Sequence, residues 1–187
     1  MRFARLAVLS ALLLAGPGCS DDVPPTPKGA FSVSFQDTGT ECAVKSHNMT
    51  VGSVTDTSKQ TLLSDGQENA EVKCKVTGSG PFAVSGSILQ AGKFLDVTVG
   101  SLASGTKLEG PATGSVGYAG GVETSNTYSS KADTPCNFYF TTGQQGVAAG
   151  RVWMAFDCPK IVSGQSTCEL VTSYVIFENC DKGDAEE

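Results

Sequence analysis

The chain has 187 residues, 40% of them hydrophobic and 7% aromatic, which suffices for one core of ordinary size and sets it apart from disordered sequences. Its 13 basic side chains are outnumbered by 19 acidic ones, for a formal net charge of −6. With no basic stripe to neutralise phosphates, nucleic acid is excluded as a partner.

Arg2 and Arg5 precede an apolar run from Leu6 to Ala15. The run is about half of the ~20 residues a helix needs to cross a bilayer, so residues 1–18 read as an export signal and not as an anchor. Leu14, Ala15, Gly16, Pro17 and Gly18 then lead directly into Cys19, and a polar spacer follows. This layout resembles the signal peptide of bacterial lipoproteins, with Gly16 standing where the family's recognition box carries Leu. The resemblance implies that Cys19 receives a thioether-linked diacylglycerol and an N-acyl chain such as palmitate, joining the protein to a membrane through its lipid. Ser20 follows the cysteine in place of the Asp that favours inner-membrane retention in enteric bacteria, so the implied destination is the outer membrane. The alternative is an ordinary secretory signal that releases a secreted or periplasmic protein.

Residues 19–29 form the lipidated cysteine and a proline-rich tether, since three prolines in SDDVPPTPK prevent a helix or a central strand. Residues 181–187 (DKGDAEE) form an acidic, disordered tail. Between them, residues 30–180 make one domain rich in Gly, Ser, Thr and Val, without a sustained helical period. Phe31, Val33 and Phe35 alternate with Ser32, Ser34 and Gln36, and Val72, Cys74 and Val76 alternate with Glu71, Lys73 and Lys75. Each run has one buried and one wet face. About nine such strands, separated by turn-rich segments such as SDGQEN and TGQQG, predict an all-β fold, an antiparallel β-sandwich.

The most regular part is C-terminal. Residues 137–142, 150–158 and 169–179 form a three-stranded meander. One face of the middle strand carries Val152, Met154, Phe156 and Cys158, and one face of the last carries Val171, Val175 and Phe177. Turning both sets inward places Val152 opposite Val175, Phe156 opposite Val171, and Trp153 opposite Tyr174 on the outer face. Trp153 and Tyr174, flanked by Arg151 and Asp157, are the ligand-binding candidates, because paired aromatic rings stack on sugars or bury a partner's apolar patch. The plainer reading is that a loop or strand covers this face and the pair only stabilises the sheet.

Setting Cys19 aside leaves six of the seven cysteines for disulfides: Cys42, Cys74, Cys136, Cys158, Cys168 and Cys180. Cys168 and Cys180 stand at opposite ends of one strand, too far apart to bond. Cys158 and Cys168 bracket the last connection, and their pairing is the first expectation. No CxxC pair exists, so neither a metal site nor another cofactor is expected. His47 is the sole histidine, in a segment without a nucleophile motif, and it reads as a strand-end or loop residue. No catalytic residues are assigned and the protein is not expected to be an enzyme.

The expectation is a cell-envelope lipoprotein with a non-catalytic binding or interaction domain whose partner is an envelope protein or a glycan. The alternatives are a structural envelope lipoprotein without a small ligand and a secreted hydrolase.

Overall fold

A computed structural model describes residues 24–57, 60–120 and 126–183. The expected export signal over residues 1–18, and Cys19, lie outside the described residues. Twelve strands form one antiparallel sheet: β1 (Lys28–Gln36), β2 (His47–Val51), β3 (Leu63–Ser64), β4 (Glu71–Thr77), β5 (Phe82–Gln90), β6 (Lys93–Leu102), β7 (Ala112–Gly120), β8 (Thr127–Ser129), β9 (Cys136–Tyr139), β10 (Gly146–Ala148), β11 (Arg151–Ser163) and β12 (Ser166–Glu178). The additional strands beyond the expected nine include two- and three-residue pieces, too short to leave an alternating signature. Among the described residues the only helical element is a single 3₁₀ turn at Gln67–Asn69.

The strands run in the order β2-β1-β12-β11-β8-β7-β6-β5-β4, with β9 also bridging β11 to β7, β10 beside β11 and β3 beside β1. The sheet folds back on itself as a sandwich, so that Ile88 of β5 lies over Gly29 of β1, and Gly86 of β5 lies over Phe177 of β12. Inward-facing side chains from both layers, among them Phe31, Val33, Phe35, Val72, Val97, Phe156 and Phe177, form one core. The period-2 pattern thus acts as expected, burying one face of each strand.

The outer edge of β4 is closed by the residues that follow β12. Val76 donates its N–H to the Asp181 carbonyl at 2.8 Å, and Asp181 donates to the Cys74 carbonyl at 3.0 Å. Gly150 donates to Val76, and Cys180 donates to Gly150. These bonds satisfy backbone groups that an open edge would offer to another chain.

The meander is present, with β9 and β12 on either side of β11, but its register differs from expectation by two residues. Val152 pairs with Phe177, Trp153 with Ile176 and Ala155 with Tyr174. The strands continue to a tight turn at Gly164–Gln165, where Ser163 pairs with Ser166 and Gly164 takes a left-handed φ of 59°. β11 passes Pro159 through an irregularity between Cys158 and Ile161, where the missing N–H of proline disturbs no ladder bond. A second irregularity falls in β12, where Ser32 pairs with Tyr174 but Ser34 pairs with Val171. The Ser173 hydroxyl fills this bulge, accepting from the Ser34 N–H at 3.1 Å and donating to the Val171 carbonyl at 2.7 Å. The side-chain parity flips there, so Leu170 is buried and Val171, expected inside, is 36% exposed.

All six described cysteines are bonded, as Cys42–Cys168, Cys74–Cys180 and Cys136–Cys158. The expected Cys158–Cys168 bridge is corrected. Both residues lie within strands, Cys158 opposite Leu170 and Cys168 opposite Ile161, so they are not cross-strand neighbours. Three disulfides mark an oxidising setting, extracellular or periplasmic. No helix among the described residues is long and apolar enough to cross a membrane.

Candidate functional site

Alternation along β11 turns Arg151 and Trp153 to the outer face, where β10 runs beside them with Gly146 opposite Trp153 and Ala148 opposite Arg151. The loop before β10 supplies Gly143, Gln144 and Gln145, the end of β12 supplies Ile176 and Glu178, and Gln60 approaches from the segment before β3. Together they enclose a cleft of about 380 Å³, within the size range of small-molecule sites.

The cleft holds an imbalance of hydrogen bonds. Gln145 is only 7% exposed. Its Oε1 accepts from the Thr141 N–H at 2.7 Å and from the Thr141 hydroxyl at 3.2 Å, which fixes the loop. Its Nε2 is buried without a partner, and so is the indole Nε1 of Trp153. A buried donor left unpaired costs about 1–3 kcal/mol, and both of these call for an acceptor. Arg151 is exposed and makes no ion pair among the described residues, where the ion pairs are Lys73–Glu71 and Lys75–Asp181.

Of the three residues expected to bind, Arg151 and Trp153 share the cleft and Tyr174 does not line it. Tyr174 and Trp153 lie diagonally on one face and pack against a small outer cluster of Ala30, Val54 and Ile176, joined by Leu62. Val54 and Leu62 belong to a loop pinned by paired backbone bonds between Ser53 and Thr61 at 2.9 and 3.0 Å. A loop therefore covers the Tyr174 end of this face. Burial pushes the Tyr174 hydroxyl above the usual phenol range, helped by the nearby charge of Asp56. Asp157, expected to flank Trp153, accepts from the Asn137 amide at 2.9 Å.

Gln60, Gln144, Gln145 and Glu178 were not among the expected site residues. TGQQG carries only the composition of a turn, and nothing in it shows that one amide turns inward while its loop folds against β11.

The cleft adjoins a second concavity of about 640 Å³, which shares Gly143 and Gln145 and is walled by residues 104–109 and Phe140–Thr142. The Phe140 N–H donates to the Thr106 carbonyl at 3.0 Å and holds that wall in place. Leu108 stands 56% exposed there.

His47 opens β2, and its ring is part of the packing. Nε2 lies 2.7 Å from the Tyr118 hydroxyl and Nδ1 lies 2.9 Å from the Lys45 carbonyl. The ring stacks on Phe35 at 4.8 Å. Among the described residues, no group of three or more His, Cys, Asp or Glu side chains converges in a way that would hold a metal ion. Compared with known proteins, the chain matches no family model, no curated protein and no solved structure.

Proposed function

We propose that this protein is a cell-envelope lipoprotein whose β-sandwich works by non-catalytic binding, with the Arg151–Trp153 cleft as its binding place. The observation that carries the reading is that two residues lining one cleft, Gln145 and Trp153, each hold a buried, unpartnered donor, Nε2 and Nε1. A ligand's acceptors would satisfy both donors and recover the cost of leaving them dry. The three disulfides support an extracytoplasmic address. The arrangement around Cys19 supports a lipid tether to the outer membrane.

Two experiments test the two halves. Expressed in a bacterium, the wild type is expected in the membrane fraction with a lipid mass on Cys19, and Cys19→Ser is expected in the soluble fraction. Equal partition of both forms overturns the tether. Immobilised protein is expected to retain a component of solubilised envelope fractions, and Trp153→Ala is expected to lose it while still unfolding in one cooperative transition. Equal retention by wild type and variant removes the cleft from the reading.

A further inference from the structure

We infer that the ligand of this cleft is a neutral oligosaccharide laid across both concavities, an inference that rests on the reading of the domain as a binding module. The two hollows share Gly143 and Gln145 in their linings, which sets them side by side at the loop before β10, as two neighbouring subsites of one chain would require.

The chemistry of the first hollow selects among ligand classes. Its charged groups are of both signs, Arg151 and Glu178, and its amides are Gln60, Gln144 and Gln145. A sugar hydroxyl both accepts and donates, so it meets the orphan indole and amide N–H groups while donating to Glu178 or to an amide oxygen. With Arg151 and Glu178 both in the lining, the hollow has one charge of each sign and selects for a ligand with no net charge. Trp153 adds the apolar surface on which sugar rings stack. The second hollow continues the pattern, with the polar Thr106, Lys107 and Glu109 beside the apolar Leu108 and Phe140. Such a wall suits rings that present hydroxyls at their edges and C–H groups on their faces.

Trp153 is the sole tryptophan, so its emission reports directly on the first hollow. The probes are the neutral hexasaccharides cellohexaose, maltohexaose and chitohexaose, their disaccharides, and hexagalacturonate as the acidic control. At least one neutral hexamer is expected to shift Trp153 emission and to bind at least tenfold more tightly than its disaccharide. Gln145→Glu keeps the acceptor that Thr141 uses and replaces the orphan donor, so a tenfold or greater loss of affinity is expected. Should Gln145→Glu fold poorly, Trp153→Phe, read by calorimetry, removes the indole N–H with the five-membered part of the ring, keeps an aromatic face, and is expected to weaken binding similarly. Leu108→Ala is expected to weaken the hexamer and leave the disaccharide unchanged. The inference is overturned by a disaccharide that binds as tightly as its hexamer, by preference for hexagalacturonate, or by no shift with any neutral series at millimolar concentration. In each of those cases, retention of an envelope component that still depends on Trp153 leaves the binding reading intact.

Discussion

The ring of Phe177 fills the space into which a side chain on Gly86 would project, since a Cβ there would lie 2.7 Å from the ring's Cζ. The two layers of the sandwich therefore meet at a residue with no side chain opposite one of the largest buried rings. Gly86→Ala is expected to lower unfolding free energy by about 1–3 kcal/mol, the usual cost of overpacking, measured by urea denaturation. Adding Phe177→Leu to Gly86→Ala should restore part of the loss, because the smaller side chain vacates the contested volume. Wild-type stability for Gly86→Ala alone would show that the layers are not this close.

The bridge between Cys42 and Cys168 joins positions 126 residues apart. In the chain-entropy account, a cross-link over so long a loop removes much freedom from the unfolded chain and contributes about 5 kcal/mol. Replacing both cysteines with serine is expected to cost stability on that scale, observed as a lower denaturation midpoint. Peptide mapping under non-reducing conditions should recover Cys42 with Cys168, Cys74 with Cys180 and Cys136 with Cys158. Any other pairing would contradict the strand order.

Asp96 points outward in a row of paired positions running Lys73, Ser87, Asp96 and Gly117 across β4 to β7. Partial burial pushes its carboxyl above the ordinary aspartate range. The folded state therefore holds this proton more tightly than the unfolded chain does. Its stabilising effect is complete below the ordinary aspartate pKa and is lost as pH rises through the raised one. Asp96→Asn is expected to raise the melting temperature at pH 7 and leave it nearly unchanged at pH 3. A melting temperature unaltered at both pH values would mean that the carboxylate is well solvated.

The Tyr118 hydroxyl lies 2.7 Å from His47 Nε2, and the Tyr118 ring is fully buried. Tyr118→Phe keeps the ring's packing and leaves the half-buried imidazole nitrogen without this partner. A loss of about 1 kcal/mol is expected, read by denaturant titration, with a change in the His47 ring resonances in NMR spectra. Unchanged resonances would place the imidazole elsewhere.

The inward faces of β1 and β11 were legible because alternation of Phe31, Val33 and Phe35, or of Val152, Met154 and Phe156, has one physical meaning in a sandwich. Arg151 and Trp153 followed from the same parity. Val171 was misplaced because a period-2 reading assumes an unbroken strand, and the bulge at Ser173 leaves no mark in the sequence beyond a serine among apolar residues. The register differs by two because residues 150–158 and 169–179 were expected to bound the two strands, whereas β11 passes Pro159 at an irregularity and continues to Ser163, and β12 begins at Ser166. The expected meander already sets Cys136 and Cys158 at the same end of two neighbouring strands, whereas Cys42 meeting Cys168 and Cys74 meeting Cys180 depend on strands far apart in the chain and were out of reach of local pattern. Gln145 was invisible for a similar reason. A glutamine in a turn is ordinarily solvated, and only the tertiary position of its loop buries it.

The pairing of β1 with β12 also governs when the fold can form. The first long strand finds its main partner only in the last, and Cys42 and Cys74 find theirs at Cys168 and Cys180. Contacts this distant along the chain make for slow folding, on the order of milliseconds to seconds. An N-terminal portion that stops short of β12 lacks the main partner of β1 and both of these bridges. Completion of the architecture therefore waits on the final strand.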